Sequence, residues 1–528
     1  MRNLRGSRVL SAAVVLVVLG GLYALAGLRH PISLSAGAAT RSPHSVPVTT
    51  VVRACPAPGA AFSRGGGIAV MAAPASAAST TGTASSASVT AGSGATSAGR
   101  GVAMVTRLTG LGSSTAGPAV LSITQPGTPR LATVSLDRTT RAQAAPKGKP
   151  SATTVVSTAL RGGVVVQASG SLAQGLDVEQ TSGANLPTAA CTSPATSFWF
   201  VGPGQRTAGR ILVYLMNPSG QAADADVDIF TDAGPLQQTA DNGITVPPHG
   251  MIVQSLAPVL HNSRSLTLNV RTSVGQVAAA VQESTGAGEG AWLPAAQAPA
   301  THLVIPGLPV AAGSRELYLG VPGEKDANVQ VSAVTSRGTY EPTGAGGIDI
   351  PGGSAADISL PSLAGIPAAI KLTSSTPITA SIMIPGGSNG SPGSFTAAEP
   401  ALEEQGVVAD NTTGPGRATA LILSAPHATA RVSVAQISSA GSARQTQTVE
   451  VSSGKSVVVA LKAVPGAPRG TPFAVVISPL PGSGPVYAGR VITASGTGGA
   501  LQAMLPVASA LTTVLLPPVR SAAIAAVP

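Results

Sequence analysis

The fold is decided by the stretch Gly243-Ile-Thr-Val-Pro-Pro-His-Gly250, whose pattern returns in Gly347-Ile-Asp-Ile-Pro-Gly-Gly-Ser354 and in Thr448-Val-Glu-Val-Ser-Ser-Gly-Lys455. In each copy apolar and polar residues alternate, a turn rich in Pro, Gly or Ser follows, and a second apolar run begins. This pattern is typical of two strands joined by a tight turn. The copies begin 104 and 101 residues apart, so the sequence predicts a repeat of about a hundred residues.

Each copy lies inside a longer unit. A further pair of apolar runs follows the turn, and short apolar segments open four units near residues 46, 196, 301 and 417. Six or seven short strands with frequent turns in such a unit indicate two packed sheets. We therefore predict an all-β chain of four tandem immunoglobulin-like β-sandwiches behind an N-terminal transmembrane helix. The predicted boundaries are a cytoplasmic basic tail at 1–8, a transmembrane anchor at 9–28, a linker at 29–45, a first sandwich at 46–185 with a low-complexity insertion at 72–98, a second at 196–285, a third at 301–385, a linker at 386–416 and a fourth at 417–528.

Composition agrees with this fold class. The 528 residues exceed the usual length of one domain, which is about 100–200 residues. The 63 Gly and 44 Pro exclude a mostly helical protein, and their sum stays below the level typical of wholesale disorder. Many turns between short strands account for both residue types.

Basic residues exceed acidic residues by 10, but the excess is spread thinly along the chain. A nucleic-acid-binding protein concentrates such charge in runs or on one face with aromatic residues between them, and no such run occurs here. We therefore expect no nucleic-acid partner. A weakly basic surface favours anionic envelope polymers or lipid headgroups.

Residues 9–28 carry no charge and are long enough, as a helix, to cross a membrane. Arg2, Arg5 and Arg8 precede this run, which places the N-terminus in the cytoplasm and the bulk of the chain outside. A cleaved signal peptide is the alternative, since Ala36-Gly37-Ala38 offers a cleavage site. We expect a single-pass membrane protein with an extracytoplasmic body, or a secreted protein if the signal is removed.

The chain has two cysteines, Cys55 and Cys191. In an oxidising compartment they favour one disulfide, which clamps the first sandwich to the start of the second. Two unrelated buried thiols are the alternative. Two cysteines outside any Cys-x-x-Cys pair do not make a zinc site.

No catalytic residue, metal site or cofactor is predicted. Asp224, Asp226 and Asp228 resemble the start of a calcium loop, but the Gly and Glu that such a loop needs are missing, and an outward strand face accounts for all three. The six histidines are scattered, and we find neither a nucleophile elbow nor a pair of acids held on strands. A non-enzyme is the prediction, with a cryptic glycoside hydrolase as the rival.

Aromatic residues are few, and Trp199 and Trp292 are the candidates for stacking on a ligand. Trp199 faces away from Phe198 and Phe200 on its strand, so one side is core and the other is either exposed or covered by a neighbouring unit. Trp292 lies in a predicted connector and is expected to be the more exposed of the two.

Three segments resemble an uncharacterised actinobacterial family of Ala/Gly-rich, membrane-anchored or secreted proteins: Arg53-Ala-Cys-Pro56, Phe198-Trp-Phe-Val-Gly-Pro-Gly204 and Tyr214-Leu-Met-Asn-Pro-Ser-Gly220. The resemblance implies a domain of unknown function, often encoded near a large membrane glycosyltransferase, and supplies no catalytic residue. Together these features favour a non-catalytic binding or scaffolding element of the cell envelope. An accessory subunit of envelope polysaccharide assembly is the narrower alternative, with the polysaccharide or a glycosyltransferase as partner.

Overall fold

The computed structural model confirms an all-β chain arranged in several sheets. It describes residues 44–56, 66–73, 102–107, 109–110, 119–121, 130–135, 163–182, 188–236, 242–284, 290–310, 314–360, 363, 365–386, 393–438, 444–496 and 499–516. The helical content of these residues is one 3-10 turn, Gly170–Leu172. Within the same ranges no helix is long and apolar enough to cross a membrane. The predicted span at 9–28, its basic tail and most of the first linker and the low-complexity insertion lie outside the described residues.

The strands fall into four consecutive groups. The first is β1 (His44–Pro47), β2 (Thr50–Cys55), β3 (Gly66–Ala72), β4 (Val102–Arg107), β5 (Thr109–Gly110), β6 (Ala119–Leu121), β7 (Arg130–Ser135), β8 (Val164–Ser169), β9 (Asp177–Ser182) and β10 (Thr188–Ala190). The second is β11 (Ser197–Pro203), β12 (Arg210–Met216), β13 (Ala223–Thr231), β14 (Gly234–Leu236), β15 (Ile244–Val246), β16 (Gly250–Ser255), β17 (Ser265–Val274), β18 (Ala278–Ser284) and β19 (Ala291–Leu293).

The third group is β20 (Ala300–Leu308), β21 (Arg315–Val321), β22 (Ala327–Thr335), β23 (Gly338–Tyr340), β24 (Ile348–Ile350), β25 (Ser354–Leu360), β26 (Ala368–Ile384) and β27 (Ser394–Ala397). The fourth is β28 (Gly406–Asn411), β29 (Arg417–Ala425), β30 (Ala430–Ser438), β31 (Arg444–Val451), β32 (Lys455–Leu461), β33 (Phe473–Pro479), β34 (Tyr487–Gly496), β35 (Gly499–Pro506) and β36 (Thr513–Leu516). Strands β1 and β36 pair with each other as a separate two-stranded sheet.

The four groups share one strand order, and each forms a unit of two facing sheets. From the first to the fourth unit, the strand order of one sheet is β2-β8-β4, β11-β17-β13, β20-β26-β22 and β28-β33-β30. In the same sequence of units, the strand order of the other sheet is β10-β9-β3-β7, β19-β18-β12-β16, β27-β26-β21-β25 and β35-β34-β29-β32. In the third unit the long strand β26 serves both sheets, its first half pairing with β20 and β22 and its second half with β21 and β27. An apolar core fills each unit between its sheets, and the cores of the second and third units each extend into the following unit.

The repeated sequence stretch is the crossover between the two sheets. Strand β15 pairs with β13 in one sheet, whereas β16, after the turn, pairs with β12 in the other. The turn needs a left-handed residue, and His249, Gly353 and Gly454 occupy that place with φ of 50°, 71° and 70°. In each case the amide of this residue donates to a carbonyl of its own unit, on Ser219, Gly323 and Ala425 respectively. The predicted strand, turn, strand pattern is thus confirmed.

The short strands that close each unit differ from prediction. Segment 386–416, predicted as a linker, holds β27 of the third unit and β28 of the fourth. Likewise β10 and β19 lie in segments assigned to connectors, and Ala72 ends strand β3 rather than beginning an insertion. Strands β10, β19 and β27 have only three or four residues, which is too few to display an alternating pattern against a background of Ala, Ser and Gly.

The units also pack on one another, so that residues 47–513 form one compact body. Ala69 and Met71 of the first unit share an apolar cluster with Val407 and Ala435 of the fourth. Between the third and fourth units the backbones approach so closely that a Cβ on Gly489 would stand 2.4 Å from the Cα of Gly307. Contacts between units therefore join strands that are hundreds of residues apart in the chain.

Candidate functional site

A cavity of about 320 Å³ opens where the units meet. Its wall includes Arg53 and Asp177 of the first unit, Phe198 and Trp292 of the second, Met504 of the fourth, and Glu399, which follows β27. Ala190 and Ala508 in the wall are exposed, so the cavity reaches the surface there. The wall is mostly apolar with a few charged groups, which is the usual character of a small-molecule site.

Trp292 lies in this wall and is 5% exposed, so the expectation that it is the more exposed tryptophan is wrong. Strand β19 pairs with β18 and places Trp292 opposite Gln282. The indole ring packs at 5.3 Å on the ring of Tyr214, whose hydroxyl donates to Gln282 Oε1 at 3.1 Å. This cluster continues into Ala54 and Val165 of the first unit. The first unit therefore packs against Trp292 and contributes to its burial.

Trp199 lies elsewhere, on the outer face of β11. It is half-buried, and its ring stacks on Phe230 with centroids 6.4 Å apart. Further along the same strand Ser381 of the third unit donates to the Val201 carbonyl at 2.6 Å, so the neighbouring unit contacts β11 there. Trp199 is not among the described residues of the cavity wall, and the structure therefore does not bring the two tryptophans to one site.

The predicted disulfide is confirmed. Cys55 and Cys191 are joined with an S–S distance of 2.00 Å, and Cys191 lines the cavity. Both residues belong to the core of the first unit. Cys55 ends β2 in one sheet and Cys191 follows β10 in the other, so the bridge joins the two sheets of that unit. The first unit is instead held to the second by hydrogen bonds such as the one that Thr192 Oγ1 donates to the Ala279 carbonyl at 3.0 Å.

A buried charge cluster lies beside the cavity, between the first and fourth units. Glu179 on β9 and Arg490 on β34 form an ion pair of 2.9 Å, and both side chains are fully buried. The Ala409 amide donates to Glu179 Oε1 at 2.8 Å and to Asp177 Oδ2 at 3.0 Å. Burial raises the pKa of Glu179 to about 8, although Arg490 pulls it down. Burial also raises the pKa of Asp177, against the opposing charge of Arg53.

This cluster corrects the expectation that no pair of acids is held on a strand. Asp177 and Glu179 are two residues apart on β9 and therefore share a face, while Val178 between them enters the core. In the sequence, alternation of this kind resembles an outer face in water, as it is for Asp226 and Asp228, which pair with the exposed Arg271. The fourth unit covers the face of β9 that carries Asp177, and nothing in the local sequence of β9 predicts this.

Of the charged side chains described in the cavity wall, that of Glu399 is the one without a partner. Its backbone amide donates to the Val304 carbonyl at 3.1 Å, but its carboxylate makes no hydrogen bond or ion pair with any residue that the structure describes. Burial raises its pKa to about 8. Glu399 was not among the predicted site residues because it lies in the segment predicted as a linker.

Nothing in the described residues adds a metal centre, since no group of three or more His, Cys, Asp or Glu side chains there is placed to hold an ion. The site therefore consists of an apolar cavity with three charged groups in an all-β protein of repeated two-sheet units.

The chain can also be assigned to a protein family. Residues 143–462, more than half of the chain, match the profile of a family of unknown function (DUF5719), and the chain belongs to this family. The predicted membership of a family without assigned function is confirmed at this level. No curated protein matches the chain.

Proposed function

We propose that the protein is a non-catalytic binding or scaffolding element of the cell envelope. In this proposal residues 9–28 anchor it to the cell membrane, and the body lies outside the cytoplasm, or is secreted if the segment is cleaved. The Cys55–Cys191 disulfide supports an oxidising compartment, because such bridges are rare in the cytosol.

The cavity between the units is the observation that carries the binding role. Small-molecule sites are concave, mostly apolar and often placed between domains, as this one is. The shared strand order favours tandem immunoglobulin-like sandwiches. Such sandwiches are common in cell-surface domains, which favours a location at the cell surface by analogy of fold alone. Envelope polysaccharide, or a glycosyltransferase for which the protein is an accessory subunit, are the partners we propose. Nucleic acid is not among them.

One observation favours the rival, a glycoside hydrolase. Asp177 and Glu399 both line the cavity, and burial raises the pKa of each, as a general acid requires. Against catalysis, Asp177 is held by the Ala409 amide and by the charge of Arg53. A volume of about 320 Å³ is also at the low end for a small ligand.

Affinity capture from detergent-solubilised membranes tests the role. The full-length chain is tagged, and a control protein carrying only residues 1–45 subtracts whatever the anchor captures by itself. Enrichment of envelope polysaccharide or a glycosyltransferase supports the proposal, and no enrichment over the control contradicts it. Release of shortened glycans from purified polysaccharide by the wild type, lost in Glu399→Gln, would establish the hydrolase instead.

Protease added to intact protoplasts tests the location. We expect loss of the bulk of the chain and survival of a short anchored stub. Full protection of residues after the anchor contradicts the proposed orientation.

A further inference from the structure

The three charged groups of the cavity wall are not equivalent. The Arg53 guanidinium donates to Ser193 Oγ at 2.8 Å and to the Leu176 carbonyl at 3.3 Å, and it faces the charge of Asp177. Its Nε is fully buried and is not offered to the cavity. Asp177 accepts the Ala409 amide. Within the described residues, therefore, the protein itself engages Arg53 and Asp177.

Among the described residues Glu399 remains without a partner. Two acids and one base are found in the described part of the wall, so the uncompensated group there is an acid. Glu399 is half-buried, so its carboxylate is partly withdrawn from water without a partner, and a cation placed against it lowers the cost of that burial. An anionic ligand would meet no free basic group among the described residues of this wall.

The rest of the wall suits an apolar molecule. Phe198, Trp292, Met504 and Leu505 all belong to its lining. Tryptophan is the strongest aromatic partner for a cation, and this one is held in place by Tyr214. Exposed Ala190 and Ala508 mark a way in.

We propose that the cavity binds a small amphipathic cation, an apolar molecule carrying one protonated amine or quaternary ammonium group, with the charge on the Glu399 carboxylate and the apolar part against Trp292. The inference rests on the proposed binding role and adds a small-molecule ligand to the macromolecular partners proposed above.

Fluorescence of Trp292 tests the proposal directly. The full-length chain carries two tryptophans, so Trp199→Phe leaves Trp292 as the single reporter. The probes are 2-phenylethylamine, its neutral analogue 2-phenylethanol and the anionic 3-phenylpropionate. We expect a saturable change of Trp292 emission with the amine, and affinity at least about tenfold weaker for the alcohol and the acid.

Glu399→Gln in the same background keeps the shape of the side chain and removes its charge. The amine should then bind at least about tenfold more weakly, with the alcohol unchanged. Between pH 6 and 8 the affinity of the amine should rise as Glu399 loses its proton, and this rise should disappear in the variant. Arg53 and Asp177 are the other titratable groups in the wall and remain in both proteins.

Equal affinity for amine and alcohol in the wild type, or no saturable response to the amine, overturns the proposal. So does Glu399→Gln that keeps full amine affinity. Thermal unfolding of the variant shows whether it folds, and if it does not, the comparison of amine with alcohol in the wild type decides by itself. If the cavity does not bind the amine, the proposed envelope role is still tested independently by the affinity capture of envelope partners.

Discussion

Arg490→Met should destabilise the protein more than any other single change at the junction of the first and fourth units. Arg490 is fully buried, pairs with Glu179 at 2.9 Å and donates to the Asp410 carbonyl at 2.5 Å. Methionine fills much of the same volume without charge. The variant therefore leaves the Glu179 carboxyl buried without its cation.

The size of the effect follows from two opposing terms. Unit charges 2.9 Å apart attract by about 6 kcal/mol at an effective dielectric constant of about 20. Removing the two ions from water costs several kcal/mol each, so the intact pair contributes little net stability. Loss of one partner is different, because the desolvated carboxylate stays behind, and such losses are typically about 3–5 kcal/mol. We expect Arg490→Met to fall in that range at pH 9, where the Glu179 carboxyl of the wild type is ionised.

The loss should depend on pH. Burial raises the pKa of Glu179 to about 8 from its ordinary 4.5, so the folded protein holds this proton more tightly than the unfolded chain. The resulting stability is present at low pH and is lost as pH rises through about 8. Because Arg490 lowers the pKa of Glu179, removal of Arg490 raises that pKa further. The deficit of Arg490→Met should therefore be smaller at pH 5 than at pH 9.

Urea and thermal unfolding of the full-length chain at pH 5, 7 and 9 provide the assay. The matched control is the double variant Glu179→Gln, Arg490→Met, in which both charges are gone and stability should return to within about 1–2 kcal/mol of the wild type. A single variant as stable as the wild type at pH 9 would refute the reasoning. A double variant as unstable as the single one would do so as well, since the cost would then arise from packing.

Replacing both cysteines by Ser should lower stability by up to about 5 kcal/mol, because the bridge closes a loop with a sequence separation of 136; an unchanged melting temperature would contradict this. Trp292→Ala should cost about 3–5 kcal/mol, since the ring is 5% exposed, and half-buried Trp199→Ala should cost less; the reverse order of melting temperatures would argue against the packing described. Gly489→Ala would bring a methyl to 2.4 Å from facing backbone and should lower the melting temperature, whereas Gly414→Ala, with nothing within 4 Å, should not; equal melting temperatures would contradict the close approach.

The candidate site was predictable only in fragments. Cys191 was identified because two cysteines permit one pairing, and Trp292 because aromatic residues are few. Neither argument indicates that both line one cavity. Glu399 carries no motif, and its chemistry arises from burial among residues of other units.

By itself the sequence determined the long strands and the crossover between the sheets. Alternation at a period of two records which side chains enter the core of a unit, and the turn at His249, Gly353 and Gly454 is fixed by a backbone conformation that few residues adopt. These are local properties. They act over a few residues and therefore leave a pattern in the order of the chain.

Tertiary structure alone decided what covers the outer faces of the units. Asp177 and Glu179 on β9 show the same alternation as Asp226 and Asp228 on β13, yet the fourth unit packs over the first pair and Glu179 is fully buried, whereas the second pair remains near solvent. The difference comes from docking of surfaces more than two hundred residues apart, as the bond from the Ala409 amide to Glu179 records. Docking depends on the summed fit of many side chains across an interface, and no short stretch of either strand carries that sum.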